Sequence, residues 1–227
     1  MVFGDKQKKT MNYVKEYNKN GFCIIDDFLP LENYRKIVES FNNSKFVEVN
    51  FRKKQRYGRW KKFADEYFPT EDEIYTNYFW SSNDIVNSDN YKKIFYKNIR
   101  PLFEELHSDV GMFRHQATKI KNNGQNHIRC HYDDYMGYTG YILFFTELVW
   151  KYDWGGQLQI VSDGEVKTIL PAPNKLILIN HSTKMPHWVN PVNVWAKEDR
   201  NNINGFCIKS NQKLPDTWEN RDDYAIY

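Results

Sequence analysis

The chain has 227 residues, a net charge of +3 at neutral pH and 17% aromatic residues. That length suits one domain with a full core, and the charge is too mild to point to a nucleic-acid partner. Cys23, Cys130 and Cys207 form no CxxC pair and leave an odd count, which argues for reduced thiols and against a disulfide framework. The polar start, Met1 to Lys9, lacks the apolar stretch of a signal peptide. No apolar run approaches the roughly 18 residues needed to span a bilayer. The expectation is a cytoplasmic protein with no membrane partner.

Residues 9–20 read as a short polar helix, and Gly21 leads into an apolar strand, Phe22 to Ile25. Beyond Pro30, apolar Leu31, Tyr34, Ile37, Val38 and Phe41 recur at helical spacing, predicting an amphipathic helix to about Phe41. Residues 51–62 then carry seven basic residues and no acid, followed by an acidic stretch through Glu73. The segment Arg52 to Lys62 reads in two ways. It is a solvated loop neutralised by that stretch, or a flap over a site mouth that favours an acidic substrate. A second helix is predicted from Tyr91 to about His107, with Pro101 kinking it or opening its second half.

From Met112 onward the texture changes to short apolar or alternating runs: Tyr141–Thr146, Leu158–Val161, Val166–Leu170, Leu176–Ile179, Trp188–Val192 and Ile203–Ile208. Turn residues such as Gly155-Gly156 and Asp163-Gly164 separate them, with no helical pattern between. The fold class is therefore mainly β with flanking α-helices, around a double-stranded β-helix core, a jelly roll of the cupin type. The chain reads as a single domain. It has helical and strand support over 1–111, a catalytic core at about 112–210 and a tail at 211–227.

The chemistry concentrates in four residues of that core. His131 and Asp133 stand two apart, so on a strand both side chains point the same way. An HxD triplet alone is weak evidence. His187, from a neighbouring strand, would complete a 2-His-1-carboxylate face around a metal and leave the opposite positions open, as in non-haem Fe(II) oxygenases. Arg200 adds a permanent cation with a planar fork, suited to the far carboxylate of a bound dicarboxylic acid. Together they point to Fe(II) and 2-oxoglutarate. Of the other histidines, His181 reads as a turn residue and His127 as a loop residue, while His107 and His115 read as surface or helix-end residues.

Residues 115–210 resemble the prolyl-4-hydroxylase-like branch of the Fe(II)/2-oxoglutarate dioxygenases, which includes the oxygen-sensing prolyl hydroxylases. The landmarks run in family order: His131-x-Asp133, an aromatic strand ending near Trp150, Gly155-Gly156-Gln157-Leu158, Asn174 through Ile179, Pro186-His187-x-Val189-x-Pro191, and Arg200-x-x-Ile203-x-Gly205-Phe206. The resemblance implies that His131, Asp133 and His187 ligate iron and that Arg200 holds the C5 carboxylate of 2-oxoglutarate. It also implies O2 as co-reactant, ascorbate as reductant, and a peptidyl prolyl residue as substrate. Two departures touch the pocket. Phe145 stands where the family places a tyrosine that donates to the cosubstrate carboxylate, and Tyr141, four residues earlier on the same strand, is the candidate replacement. Lys119 or Lys121 falls near the position of another pocket tyrosine. Two alternatives stay open: the same chemistry on a free amino acid, other small molecule or nucleobase, and a metal cupin that uses no 2-oxoglutarate.

Overall fold

A computed structural model describes residues 13–51, 77–131, 133, 139–210 and 225–226. The basic segment Arg52 to Lys62 therefore lies outside the described residues, as does most of the tail. After a first helix, α1 (13–20), Gly21 adopts a positive φ and the chain enters strand β1 (Phe22–Ile25). Helix α2 (Leu31–Asn43) follows Pro30, buries Tyr34, Ile37, Val38 and Phe41, and leaves Leu31 largely exposed. The predicted 91–107 helix is present but broken into Asp89–Ile94, a π-helical stretch Phe95–Ile99, and Arg100–Leu106. Pro101 sits in the first turn of the last piece. It has no N–H to donate back and its ring crowds the preceding turn, so the widened π turn absorbs the misfit.

The strands are β2 (Val47–Phe51), β3 (Asn77–Ser82), β4 (Phe113–Ile120), β5 (Ile128–His131), β6 (Thr139–Phe144) and β7 (Leu158–Ser162). They continue with β8 (Glu165–Ile169), β9 (Leu176–Asn180), β10 (His187–Val189), β11 (Arg200–Cys207) and β12 (Ala225–Ile226). Among the described residues they form two antiparallel sheets. The large one runs β1-β9-β6-β11-β4-β3-β2 with β12 also on β4, and the small one runs β5-β10-β7-β8. This is the expected jelly roll.

Two cores follow from the two faces of the large sheet. On one face Phe113, Ala117, Leu143, Leu178 and Ile203 pack against the helices through Ile37, Phe41, Tyr91, Phe95 and Phe103. On the other, Ile120, Phe144, Ile177 and Ile179 meet Leu158, Ile160 and Val189 of the small sheet. Because both faces are covered, β9 reads as a continuous apolar run, Leu-Ile-Leu-Ile, with no alternation. Residues in direct antiparallel register share a face. The pairings Thr118↔Asn202↔Phe144 and Gln116↔Asn204↔Ile142 therefore put a polar row beside an apolar one inside the sandwich. That inner face carries the site.

Candidate metal and cosubstrate site

Strands β5 and β10 bring the two ligand-type histidines together. His131 and His187 are direct partners across the antiparallel pair, and their ring centroids lie 4.3 Å apart. Each ring is oriented by its own main chain. Nδ1 of His131 donates to the Arg129 carbonyl at 2.7 Å, and Nδ1 of His187 donates to the Met185 carbonyl at 3.0 Å. With Nδ1 carrying the proton, Nε2 of each ring presents a lone pair, the form that binds a metal.

Strand β5 stops at His131, so Asp133 follows it off the strand. Its carboxylate nevertheless turns into the same space, with Oδ1 3.6 Å from His131 Nε2 and Oδ2 3.3 Å from His187 Nε2. One ligand atom from each of the three residues lies within 4.8 Å of the others; Asp133 and His187 are buried, and the His131 side chain is 13% exposed. Burial alone would raise the Asp133 carboxyl, but His131 and His187 outweigh it and hold it well below the usual carboxylate range. Burial pushes His131 down to about 4. Burial works the same way on His187, but the Asp133 carboxylate overrides it and raises that imidazole.

Arg200 opens β11 and is 1% exposed. Its Nη1 donates to the Asn202 side-chain carbonyl, and its guanidinium carbon lies 4.8 Å above the Phe144 ring. Among the described residues Nε and Nη2 have no hydrogen-bond partner. Burial pulls this guanidinium down to about 9, still well above neutrality, so it is a cation in the folded protein. An unpartnered buried cation is costly, and the free edge of its fork fits a carboxylate in two-point contact. His131, Asp133, His187 and Arg200 all line one cavity of about 80 Å³ between the sheets, walled on its apolar side by Ile128, Leu158 and Val189. A larger hollow of about 720 Å³ lies over Lys36, Lys92 and Lys97, but it contains none of these groups.

Three expectations need correction. Tyr141 borders the cavity, yet its hydroxyl is engaged at 2.5 Å with Tyr91 and at 2.5 Å with His115, within the helix-packed core. It is not free to replace a cosubstrate-binding tyrosine. Phe145 lies on that same helix side, stacked on Tyr34 and Phe41, and the residue beside Arg200 is Phe144. Strand alternation explains the difference, since neighbouring residues of a strand face opposite ways. Lys119 lies 3.9 Å from Asp199, and Lys121 lies 3.3 Å over the Trp80 ring; neither lines the cavity.

One histidine departs from the sequence reading, and a second gains a place that the reading did not give it. His115 is fully buried, pushed down to about 3 by that burial, and belongs to the helix-packed core. His181 does sit in a turn, the 3-10 turn His181–Thr183, but it is 3% exposed and lines the cavity. It continues the inward parity of Ile177 and Ile179 by two residues. The uniform apolar run of β9 concealed that parity. Asn202 was legible by the same rule, two residues beyond Arg200 on one face.

Comparisons with known proteins bear on the fold and the family. Residues 115–207 match the family model of the 2OG-Fe(II) oxygenase superfamily. The structure is similar to a Trichoplax adhaerens prolyl hydroxylase solved in complex with a hypoxia inducible factor oxygen degradation domain peptide fragment. That match has a TM-score of 0.66 and 15% identity over 92% of this chain and 94% of the other. A Pseudomonas putida prolyl-4-hydroxylase is similar at TM-score 0.63 and 16% identity, over 88% of this chain and 98% of the other. The non-haem α-ketoglutarate-dependent epimerase SnoN of nogalamycin biosynthesis follows at TM-score 0.59 and 8% identity, over 88% and 82%. No curated protein matches the sequence. At these identities the solved structures establish the fold, a jelly roll shared with prolyl hydroxylases, and the family match spans the residues from β4 to β11 that build the cavity. The match is to the 2OG-Fe(II) oxygenase superfamily, whose members are enzymes that use Fe(II), 2-oxoglutarate and O2.

Proposed function

We propose that this enzyme hydroxylates an unactivated C–H bond of a peptidyl residue, a prolyl one, coupled to conversion of 2-oxoglutarate into succinate. The observation that carries the reading is the company Arg200 keeps. A buried guanidinium with two unpartnered donors shares one small cavity with a clustered His-Asp-His set. A cupin that needs no 2-oxoglutarate has no use for that cation.

In this reading His131, Asp133 and His187 would hold Fe(II), a three-ligand set that would leave room for cosubstrate and O2. Arg200 takes the C5 carboxylate of 2-oxoglutarate through Nε and Nη2, and Asn202 fixes the fork by occupying Nη1. When bound, iron and 2-oxoglutarate supply the oxidising power: one oxygen atom of O2 enters succinate, the other enters the substrate as hydroxyl, and CO2 leaves. The chain contributes geometry and dryness. Ile128, Leu158 and Val189 exclude water from one wall, and Phe144 covers the guanidinium from below.

The peptidyl substrate rests on likeness to enzymes named as prolyl hydroxylases, one of them solved with a peptide fragment. The basic segment Arg52 to Lys62 adds a charge preference, since seven cations would gather an acidic polypeptide. SnoN, an epimerase on the same fold, keeps the second reading in play, the same iron chemistry on a small molecule. Incubation with Fe(II), 2-oxoglutarate, ascorbate and a library of proline-containing acidic peptides tests the choice by mass spectrometry. A product heavier by one oxygen atom on a prolyl residue, matched by succinate, supports the proposal. Succinate coupled only to oxidation of free amino acids or other small molecules overturns it.

A further inference from the structure

His181 has a place in the cavity that the ligand set and the Arg200 clamp leave unexplained. It is held rigidly at the end of β9. Asn180 accepts from the Ser182 N–H at 3.0 Å, and Lys184, at φ 50°, donates its N–H to the His181 carbonyl at 3.1 Å. The ring fills a slot that exists because residue 140 has no side chain. A Cβ on Gly140 would lie 2.5 Å from His181 Cε1 and 2.6 Å from Nε2. On the other side the ring lies parallel to His187, at 7° with centroids 6.1 Å apart, and against Phe206 at 5.5 Å.

Its two nitrogens are not equivalent. Nδ1 is buried with no hydrogen-bond partner among the described residues. Nε2 faces Asp133 Oδ2 at 3.9 Å. The acceptor next to Nε2 and the lack of one at Nδ1 favour the neutral ring with its proton on Nε2. The gap exceeds hydrogen-bond length, and because the His181 ring is fixed in its slot, it is a shift of about 1 Å by the Asp133 side chain, beyond the end of β5, that closes it.

We propose that His181 is a positioning residue for the Asp133 carboxylate, its Nε2–H holding Oδ2 and leaving the other oxygen for the metal. A carboxylate can grip a metal through one oxygen or through two. The facial arrangement needs the one-oxygen grip, because a second bond would consume an open position. A donor fixed beside one oxygen enforces that choice, and groups that orient ligands in this way typically change metal affinity tenfold to a hundredfold. The inference rests on the reading of His131, Asp133 and His187 as the metal-holding set.

The test is Co(II) binding to the 227-residue chain, read by titration calorimetry and by the d–d absorption spectrum, with no turnover required. His181→Leu should weaken Co(II) binding roughly tenfold to a hundredfold and alter the spectrum. His181→Gln, which keeps an N–H donor, should recover most of both, and His181→Phe, which keeps only the ring, should behave like His181→Leu. Circular dichroism and thermal melting of the metal-free variants identify any that fail to fold, and the Gln and Phe variants then decide. Equal effects of Gln and Phe, or no effect of any substitution, overturn the role of His181. Asp133→Ala is the control arm. If it leaves Co(II) binding unchanged, the metal-site reading itself falls, whatever His181 does.

Discussion

His131 and His187 are direct partners across the β5–β10 pair, and each donates its Nδ1 proton to a carbonyl two residues earlier in its own chain. The backbone thus presets both imidazoles with Nε2 toward Asp133 before any ion arrives. Pre-setting of this kind lowers the ordering cost of binding, so removing one ligand should abolish tight binding without unfolding the sandwich. Asp133→Ala and His187→Ala should each weaken Mn(II) or Co(II) binding by more than about a hundredfold and stop 2-oxoglutarate turnover, with the far-ultraviolet spectrum unchanged. Full succinate production by Asp133→Ala would remove that residue from the ligand set.

Arg200 gives the cosubstrate prediction. Losing a charge-assisted hydrogen bond costs about 1.5–3 kcal/mol, and more where a buried carboxylate is left unpaired. Arg200→Ala should raise the apparent constant for 2-oxoglutarate roughly tenfold to a thousandfold while metal affinity stays near that of the parent. Steady-state succinate release against 2-oxoglutarate concentration measures it. An unchanged constant would place the anchor elsewhere.

Tyr141 should behave differently. Its hydroxyl links Tyr91 and His115 in the helix-packed core, so Tyr141→Phe removes one close partner from each, leaving the longer 3.5 Å contact between them. The expected cost is about 1–3 kcal/mol of folding stability, with no change in the 2-oxoglutarate constant. Denaturant titration and kinetics on one preparation separate the two effects. A raised constant with unchanged stability would return Tyr141 to the cosubstrate.

The site's ligand types and spacing were readable because they are chemical identities in a fixed order, and β11 was readable through its run from Ile203 to Ile208. Orientation was harder wherever both sheet faces are buried. Along β6 and one residue past its end, Tyr141 to Phe145 is apolar on both sides, so nothing in the letters said that Phe144 faces Arg200 and Phe145 faces Tyr34. Strand β4 went unrecognised because it buries Arg114, His115, Gln116 and Thr118, residues that read as surface. The π-helical turn arises from a clash at Pro101 that marks a break without giving its form.

Acid should weaken the fold through His115. A free histidine takes its proton near 6.5, while burial holds the folded His115 down to about 3. Between those values the unfolded chain binds a proton that the native protein refuses, so stability falls as pH drops below 6.5. The slope is at most roughly 1.4 kcal/mol per pH unit from this group, and the contribution is complete above 6.5. Urea titrations of the parent and His115→Gln between pH 7.5 and 4.5 should show a shallower decline in the variant. Parallel declines would mean that other groups set the acid limit.

Gly156 ties the fold to the cosubstrate clamp and yields the sharpest structural test. It sits at φ +69°, and a Cβ there would lie 2.9 Å from Val192 Cγ2, 3.1 Å from Trp150 Cζ2 and 3.4 Å from Arg200 Cδ. Gly156→Ala should therefore do two separable things. The left-handed backbone costs on the order of 1–2 kcal/mol for any residue with a Cβ. The added methyl also crowds the stem of Arg200 and should raise the 2-oxoglutarate constant. Gly164 is the natural comparison, because it has φ +77° but nothing within 4 Å of its Cβ position. Gly164→Ala should lower the melting temperature and leave the constant alone. If the two variants lose similar stability and neither alters 2-oxoglutarate binding, Gly156 serves only its turn, and the Arg200 stem tolerates a closer neighbour.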